Sequence, residues 1–206
     1  MVRTAIIVAI TVLSAAPALA QNLLVNPGFD DADQLDGWTC TSDHGVASWS
    51  TEDRGGSAIS GSMMHDVTAT SNNRWLGCRQ CVPVSAGSSY LVSGWYYWPN
   101  DPDVTQTGTP RFSVYFYSDA TCTTGLASGA TSNDFPIYDT WLAFTTSEMI
   151  APAGAVAADI LFLTWQDLAN QPVRARFDDL AFIPTLLIFS DGFESGGPGE
   201  WSEFTP

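Results

Sequence analysis

Residues 90–98 read YLVSGWYYW, and the fold turns on how this stretch divides. In a strand, alternate side chains fall on opposite faces. Tyr90, Val92, Gly94, Tyr96 and Trp98 then share one side, and Leu91, Ser93, Trp95 and Tyr97 share the other. The run is rich in aromatic and β-branched residues, and Gly87 and Pro99 bound it. A strand suits it.

The same texture recurs along the chain, and no amphipathic helix interrupts it. Residues 74–84, 90–98, 111–117, 140–150, 156–165 and 174–183 are predicted as strands. Weaker candidates are 22–25, 46–51 and 58–65. The intervening PNDPDVTQTGTP (99–110) and SDATCTTGLASGATSNDFP (118–136) are polar, Gly- and Pro-marked, and are predicted as loops. Many short strands separated by turn residues indicate an all-β sandwich or barrel, here one domain over 21–184.

The start, MVRTAIIVAITVLSAAPALA, has a basic residue at Arg3, an apolar run and a small-residue end before Gln21. That is the layout of a signal peptide, with cleavage expected after Ala20. The run falls short of the roughly 20 apolar residues of a spanning helix. Export implies an extracellular protein, and an oxidising compartment lets Cys40, Cys78, Cys81 and Cys122 form two disulfides. Zinc is the rival for the CRQC spacing at 78–81, but no second such pair exists and neither His44 nor His65 has ligand spacing. Both histidines are expected at the surface.

Against 7 Lys and Arg stand 22 Asp and Glu, a formal net charge of −15. Such a surface repels nucleic acid and anionic membranes. In RFSVYFY (111–117), Phe112, Val114 and Phe116 make the core side, so Arg111, Ser113, Tyr115 and Tyr117 face outward. Trp95 and Tyr97 face outward as well. Outward Trp and Tyr beside an Arg stack on sugar rings and hydrogen-bond hydroxyls; covering by loops is the plainer alternative.

In RARFDDLAFIP (174–184), Asp178 shares the parity of Leu180 and Phe182 and is expected on the core side. A carboxylate there is costly unless paired or metal-bound. Asp30, beside Phe29 in NPGFDDADQLDGW (26–38), is a second oxygen donor for a calcium ion if the ends of the chain lie together. Pairing of Asp178 with Arg174 or Arg176, or a turn-capping role, is the alternative.

Catalytic patterns are missing. There is no G-x-S-x-G. The adjacent pairs Asp30–Asp31 and Asp178–Asp179 point to opposite faces in a strand and so do not form a glycosidase pair. DDADQLDG departs from the calcium loop of an EF-hand at Ala32 and Gln34. The chain reads as a non-enzyme.

Taken in order, NLLVNPGFD, QCVPVSAGSSYLVSGWYYW, APAGAVAADILF and RFDDLAF resemble the carbohydrate-binding modules of the CenC-like type. The resemblance spans nearly all of 21–183. It implies a jelly-roll β-sandwich of two antiparallel sheets, a non-catalytic role, and a glycan bound along an aromatic-lined groove. It also implies a structural calcium near Asp30 and Asp178, and the pairing Cys81–Cys122, with Cys40–Cys78 beside it. Trp95, Tyr97, Tyr115 and Tyr117 are then expected to stack on a polysaccharide, with Arg111 bonding its hydroxyls. A surface or adhesion module that binds another protein through the same face is the alternative. A small secreted hydrolase is a third reading, and it requires distant carboxylates to converge in a groove.

The end of the chain, DGFESGGPGEW (191–201), loosely copies 26–38 and resembles a short ending of many exported bacterial proteins. Residues 185–206 are therefore read as a separate sorting tail.

Overall fold

The computed structural model describes residues 21–30, 32–100, 108–131 and 139–185. The expected signal peptide and the tail beyond Thr185 lie outside the described residues, as does Asp31.

Eleven strands and no helix make up the described residues. One sheet holds β1 (Thr39–Ser42), β4 (Arg74–Pro83), β10 (Ala157–Gln166), β6 (Gly108–Tyr117) and β7 (Gly125–Thr131), ordered β1-β4-β10-β6-β7. The other holds β2 (Val46–Ser50), β3 (Ser62–Val67), β11 (Val173–Thr185), β5 (Ser89–Tyr97) and β8 (Trp141–Thr145), ordered β2-β3-β11-β5-β8; β9 (Met149–Ile150) also pairs with β5. Every pairing between strands is antiparallel. The chain is an all-β jelly-roll sandwich.

The six clearest expected strands are present with adjusted ends, as are the weaker candidates 46–51 and 58–65. The stretch 140–150 divides into β8 and β9, because the chain breaks ladder pairing at 146–148. Residues 22–25 form no strand. They lie along β11 instead, where Leu23 N donates to Phe182 O and the Asn22 side chain bonds Leu180 O and Phe182 N. Residues 125–131, expected in a loop, form edge strand β7, which small residues allow to pair with β6 through a shifted register.

Alternation fills the space between the sheets. Tyr90, Val92, Tyr96 and Trp98 are buried, as are Phe112, Val114 and Phe116. Phe162 of β10 is the centre, with ring centroids 5.5 Å from Phe177, 5.9 Å from Trp38 and 6.0 Å from Phe144. Each such aromatic buries a large apolar area in offset or edge contacts. Gly94 is required here. A Cβ on it would sit 2.6 Å from Leu180 Cδ2 and 3.0 Å from the Phe144 ring.

The entry loop is part of this core. Phe29 is fully buried against Trp38, and its carbonyl accepts from Trp49 Nε1 at 2.8 Å. Disulfides join Cys40 to Cys78 and Cys81 to Cys122.

His65 corrects the expectation of a surface histidine. On β3 it shares the inward parity of Met63 and Val67 and is fully buried. Its ring sits between Thr164 Oγ1 at 3.1 Å and Cys78 Sγ at 3.3 Å, and burial pushes its pKa down to about 3. His44, in contrast, is exposed.

Candidate functional site

The five residues expected to form one aromatic face divide between the two outer faces of the sandwich. Trp95 and Tyr97 stand on β5, whereas Arg111, Tyr115 and Tyr117 stand on β6, and these strands belong to different sheets. Outward alternation holds on each strand. A single surface built from both does not exist, because consecutive long strands of a jelly roll cross from one sheet to the other.

On the β5 side the ring faces are already occupied. The Arg54 guanidinium lies 4.6 Å from the Trp95 ring centroid and ion-pairs with Asp179. Arg176 lies 5.5 Å from the Tyr97 ring and pairs with Glu52 at 3.0 Å. Trp141 packs on Tyr97 at 5.4 Å, and the Tyr97 hydroxyl donates to Asp139 Oδ1 at 3.4 Å. Cation–π contacts of this kind hold loops onto the sheet.

On the outer face of the other sheet lie two half-buried residues not singled out from the sequence. Trp75 and Trp165 are direct cross-strand partners on β4 and β10. Arg111 joins them, its guanidinium 5.5 Å from the Trp165 ring and its Nε donating to Thr109 Oγ1 at 3.3 Å. Both tryptophans have outward parity relative to Leu76 and Phe162, so the alternation that located Tyr115 locates them too. Gly77 follows Trp75 on the outward side, and a Cβ there would press on Leu161 at 2.9 Å.

At the far end of the same face, Asp159 is the cross-strand partner of Tyr115 and of Cys81. Tyr115 is 38% exposed, and Tyr117 stands one outward position further along β6. Burial and the neighbouring Asp159 push the Tyr117 pKa up. Trp165 and Asp159 are six residues apart on β10, about 20 Å along a strand. The face is therefore long enough for several sugar rings.

Asp178 lies elsewhere from its expected place. It pairs with outward Trp95, while Ala181 pairs with outward Ser93, so Asp179 and Leu180 of β11 lie opposite the single Gly94 of β5. This bulge, with Asp179 at φ +47°, reverses the parity and puts Asp178 on the outer side. It is nonetheless fully buried, under the 53–60 loop. Neither Arg174 nor Arg176 pairs with it, since Arg174 takes Asp66. Instead its oxygens accept from Arg54 N at 2.9 Å and Asp179 N at 2.7 Å. Burial pushes its pKa up to about 7, and Asp179 and Asp53 add to the rise.

A cation fits this carboxylate chemically, since it would relieve the desolvation and both like charges. Asp30 reaches the region only through the loop, as the bridge partner of Ser60, whose hydroxyl donates to Gly28 O. Its own side chain is exposed. Among the described residues no three His, Cys, Asp or Glu side chains cluster as a metal site.

No family model matches the chain, and none of the curated proteins is similar to it in sequence. Solved structures are similar in fold. The enzymatically active domain of bacteriophage CBA120 tailspike protein 4 aligns with a TM-score of 0.62 at 15% identity, over 80% of this chain and 21% of that one. TmCBM61, solved with β-1,4-galactotriose, aligns at 0.50 with 14% identity over 80% of this chain and 99% of the module. A family 16 carbohydrate-binding module aligns at 0.50 with 18% identity, over 78% and 99%. This likeness is one of fold. The chain spans about a fifth of the tailspike domain but the whole length of the two modules.

Proposed function

We propose that this chain is an exported, non-catalytic module that binds a polysaccharide or glycan on the outer face of the β1-β4-β10-β6-β7 sheet. The observation that carries the reading is the row of Trp75, Trp165 and Arg111 with Tyr115 and Tyr117 beyond it, on one outer sheet face. Flat apolar rings flanked by hydrogen-bonding groups suit the C–H faces and hydroxyls of sugars. Solved modules of the same fold that match over their full length, one of them bound to galactotriose, support it. Trp95 and Tyr97 drop out of the site in this reading, since β5 lies in the other sheet.

Calcium is proposed as a structural ion held by Asp178, with Asp30 as a further oxygen donor. The buried charge of Asp178 supports it, because burial without a counter-ion is costly. The tail beyond Thr185 is proposed as a sorting element.

Affinity electrophoresis through gels cast with polysaccharides tests the site. Trp165→Ala should abolish retardation by the recognised polymer, whereas Trp95→Ala should leave it unchanged. Retardation lost only in Trp95→Ala would move the site to the other sheet. No retardation by any polymer would favour a protein partner for the same face.

A further inference from the structure

The far end of the proposed face holds a group that folding alone does not explain. Asp159 lies on β10 and is 3% exposed. Its Oδ2 accepts from Arg79 Nη1 at 3.2 Å, while its Oδ1 is buried and has no hydrogen-bond partner among the described residues. Leaving such an oxygen unmet is costly. Burial accordingly holds its pKa above the ordinary carboxylate value, and Arg79 only partly offsets the rise.

The surroundings show what this oxygen is placed to meet. Asp159 lines a cleft of about 470 Å³, walled by Thr39, Arg79, Thr121 and the Cys81–Cys122 disulfide. The cleft wall at 119–124 is held in shape by Asp119, which accepts from the backbone of Thr121, Thr123 and Thr124. Arg79 is the exposed half of the ion pair, with 47% of its side chain accessible against 4% for Asp159. Arg79 engages only Oδ2, so a hydroxyl that meets Oδ1 needs this exposed side chain to shift aside. The pair then presents an acceptor beside several N–H donors, next to the Tyr115 and Tyr117 rings.

Resting on the glycan-binding reading above, we propose that Asp159 and Arg79 together bind adjacent hydroxyls of a neutral sugar lying against Tyr115 and Tyr117, and thereby select the glycan. A hydroxyl both donates and accepts, so two neighbouring hydroxyls match one carboxylate oxygen and one guanidinium edge. A metal ion does not match, because the guanidinium already neutralises the carboxylate. A uronic acid does not match either, because its carboxylate would approach Asp119 on a chain of formal net charge −15.

The test uses affinity gels cast with the neutral polymers β-1,4-galactan and xylan, and with polygalacturonate, alongside thermal melting. The wild-type protein should be retarded by a neutral polymer and not by polygalacturonate. Asp159→Asn should weaken that retardation about tenfold, the loss of a hydrogen bond to a charged group, while its Tm stays equal or rises because a desolvated charge is gone. Arg79→Gln, at a more exposed position, should weaken binding without unfolding the protein. Binding by Asp159→Asn within twofold of wild type, with Trp165→Ala inactive, would overturn this proposal and leave the face standing. Stronger retardation by polygalacturonate, or a fall in Tm that accompanies lost binding in Asp159→Asn, would also overturn it. Retardation of wild type by no polymer would remove the glycan-binding reading itself.

Discussion

Replacing Asp178 with Asn should stabilise the protein at alkaline pH and not at acid pH. The carboxyl titrates near 7 in the folded chain against 3.8 ordinarily. Its folded pKa is therefore raised, so the folded state holds the proton more tightly. Stability is greatest below the ordinary carboxylate range and is lost as pH rises from about 4 to about 7. Three pKa units correspond to about 4 kcal/mol, borne in full at pH 8 and reduced to under about 1 at pH 4. Asparagine removes that penalty and keeps an oxygen for Arg54 N. It loses the bond from Asp179 N, worth about 1 kcal/mol. The net gain is about 3 kcal/mol at pH 8, or about 6–12 °C in Tm for a domain of this size, and about zero at pH 4. Melting both proteins in chelator across this range measures it. His65 titrates in the opposite sense, because its folded pKa of about 3 lies below the ordinary value. That stability is present above the ordinary histidine pKa and lost on acidification, but it is common to both proteins and cancels in the difference. Added calcium should then raise the Tm of wild type and not of Asp178→Asn. A variant destabilised equally at pH 4 and pH 8 would refute the reasoning, since its cost would then be lost hydrogen bonds and not relieved charge.

Two further outcomes follow from the core and its covalent ties. Phe162→Ala removes the ring that touches Trp38, Phe144 and Phe177, and should cost about 3–5 kcal/mol in denaturant unfolding; a loss under about 1 kcal/mol would mean the sheets close over the gap. Removing the Cys81–Cys122 bridge frees a loop spanning 41 residues and should cost about 4 kcal/mol by the chain-entropy relation. An unchanged Tm for the double serine variant would show that the 119–124 loop is held by Asp119 alone.

Much of this architecture is legible in the sequence. Strand alternation is a local property, so the inward sets Tyr90, Val92 and Tyr96 or Phe112, Val114 and Phe116 follow from spacing alone. The outward parity of Trp95, Tyr97, Tyr115 and Tyr117 was legible for the same reason. Trp75 and Trp165 were equally accessible by that rule, although no single residue type marks them as a site. His65 is buried because β3 extends past it to Val67, which turns an apparent strand edge into an inward row.

The sequence by itself determined the long central strands and which of their side chains face inward, because alternation depends on side chains two residues apart. Only the tertiary structure decided which sheet each strand joins. That choice rests on pairing between distant segments, such as β4 with β10, and it separated Trp95 and Tyr97 from Tyr115 and Tyr117. The fate of Asp178 was likewise tertiary. A bulge of one residue reversed its face, and a loop more than a hundred residues earlier in the chain then buried it.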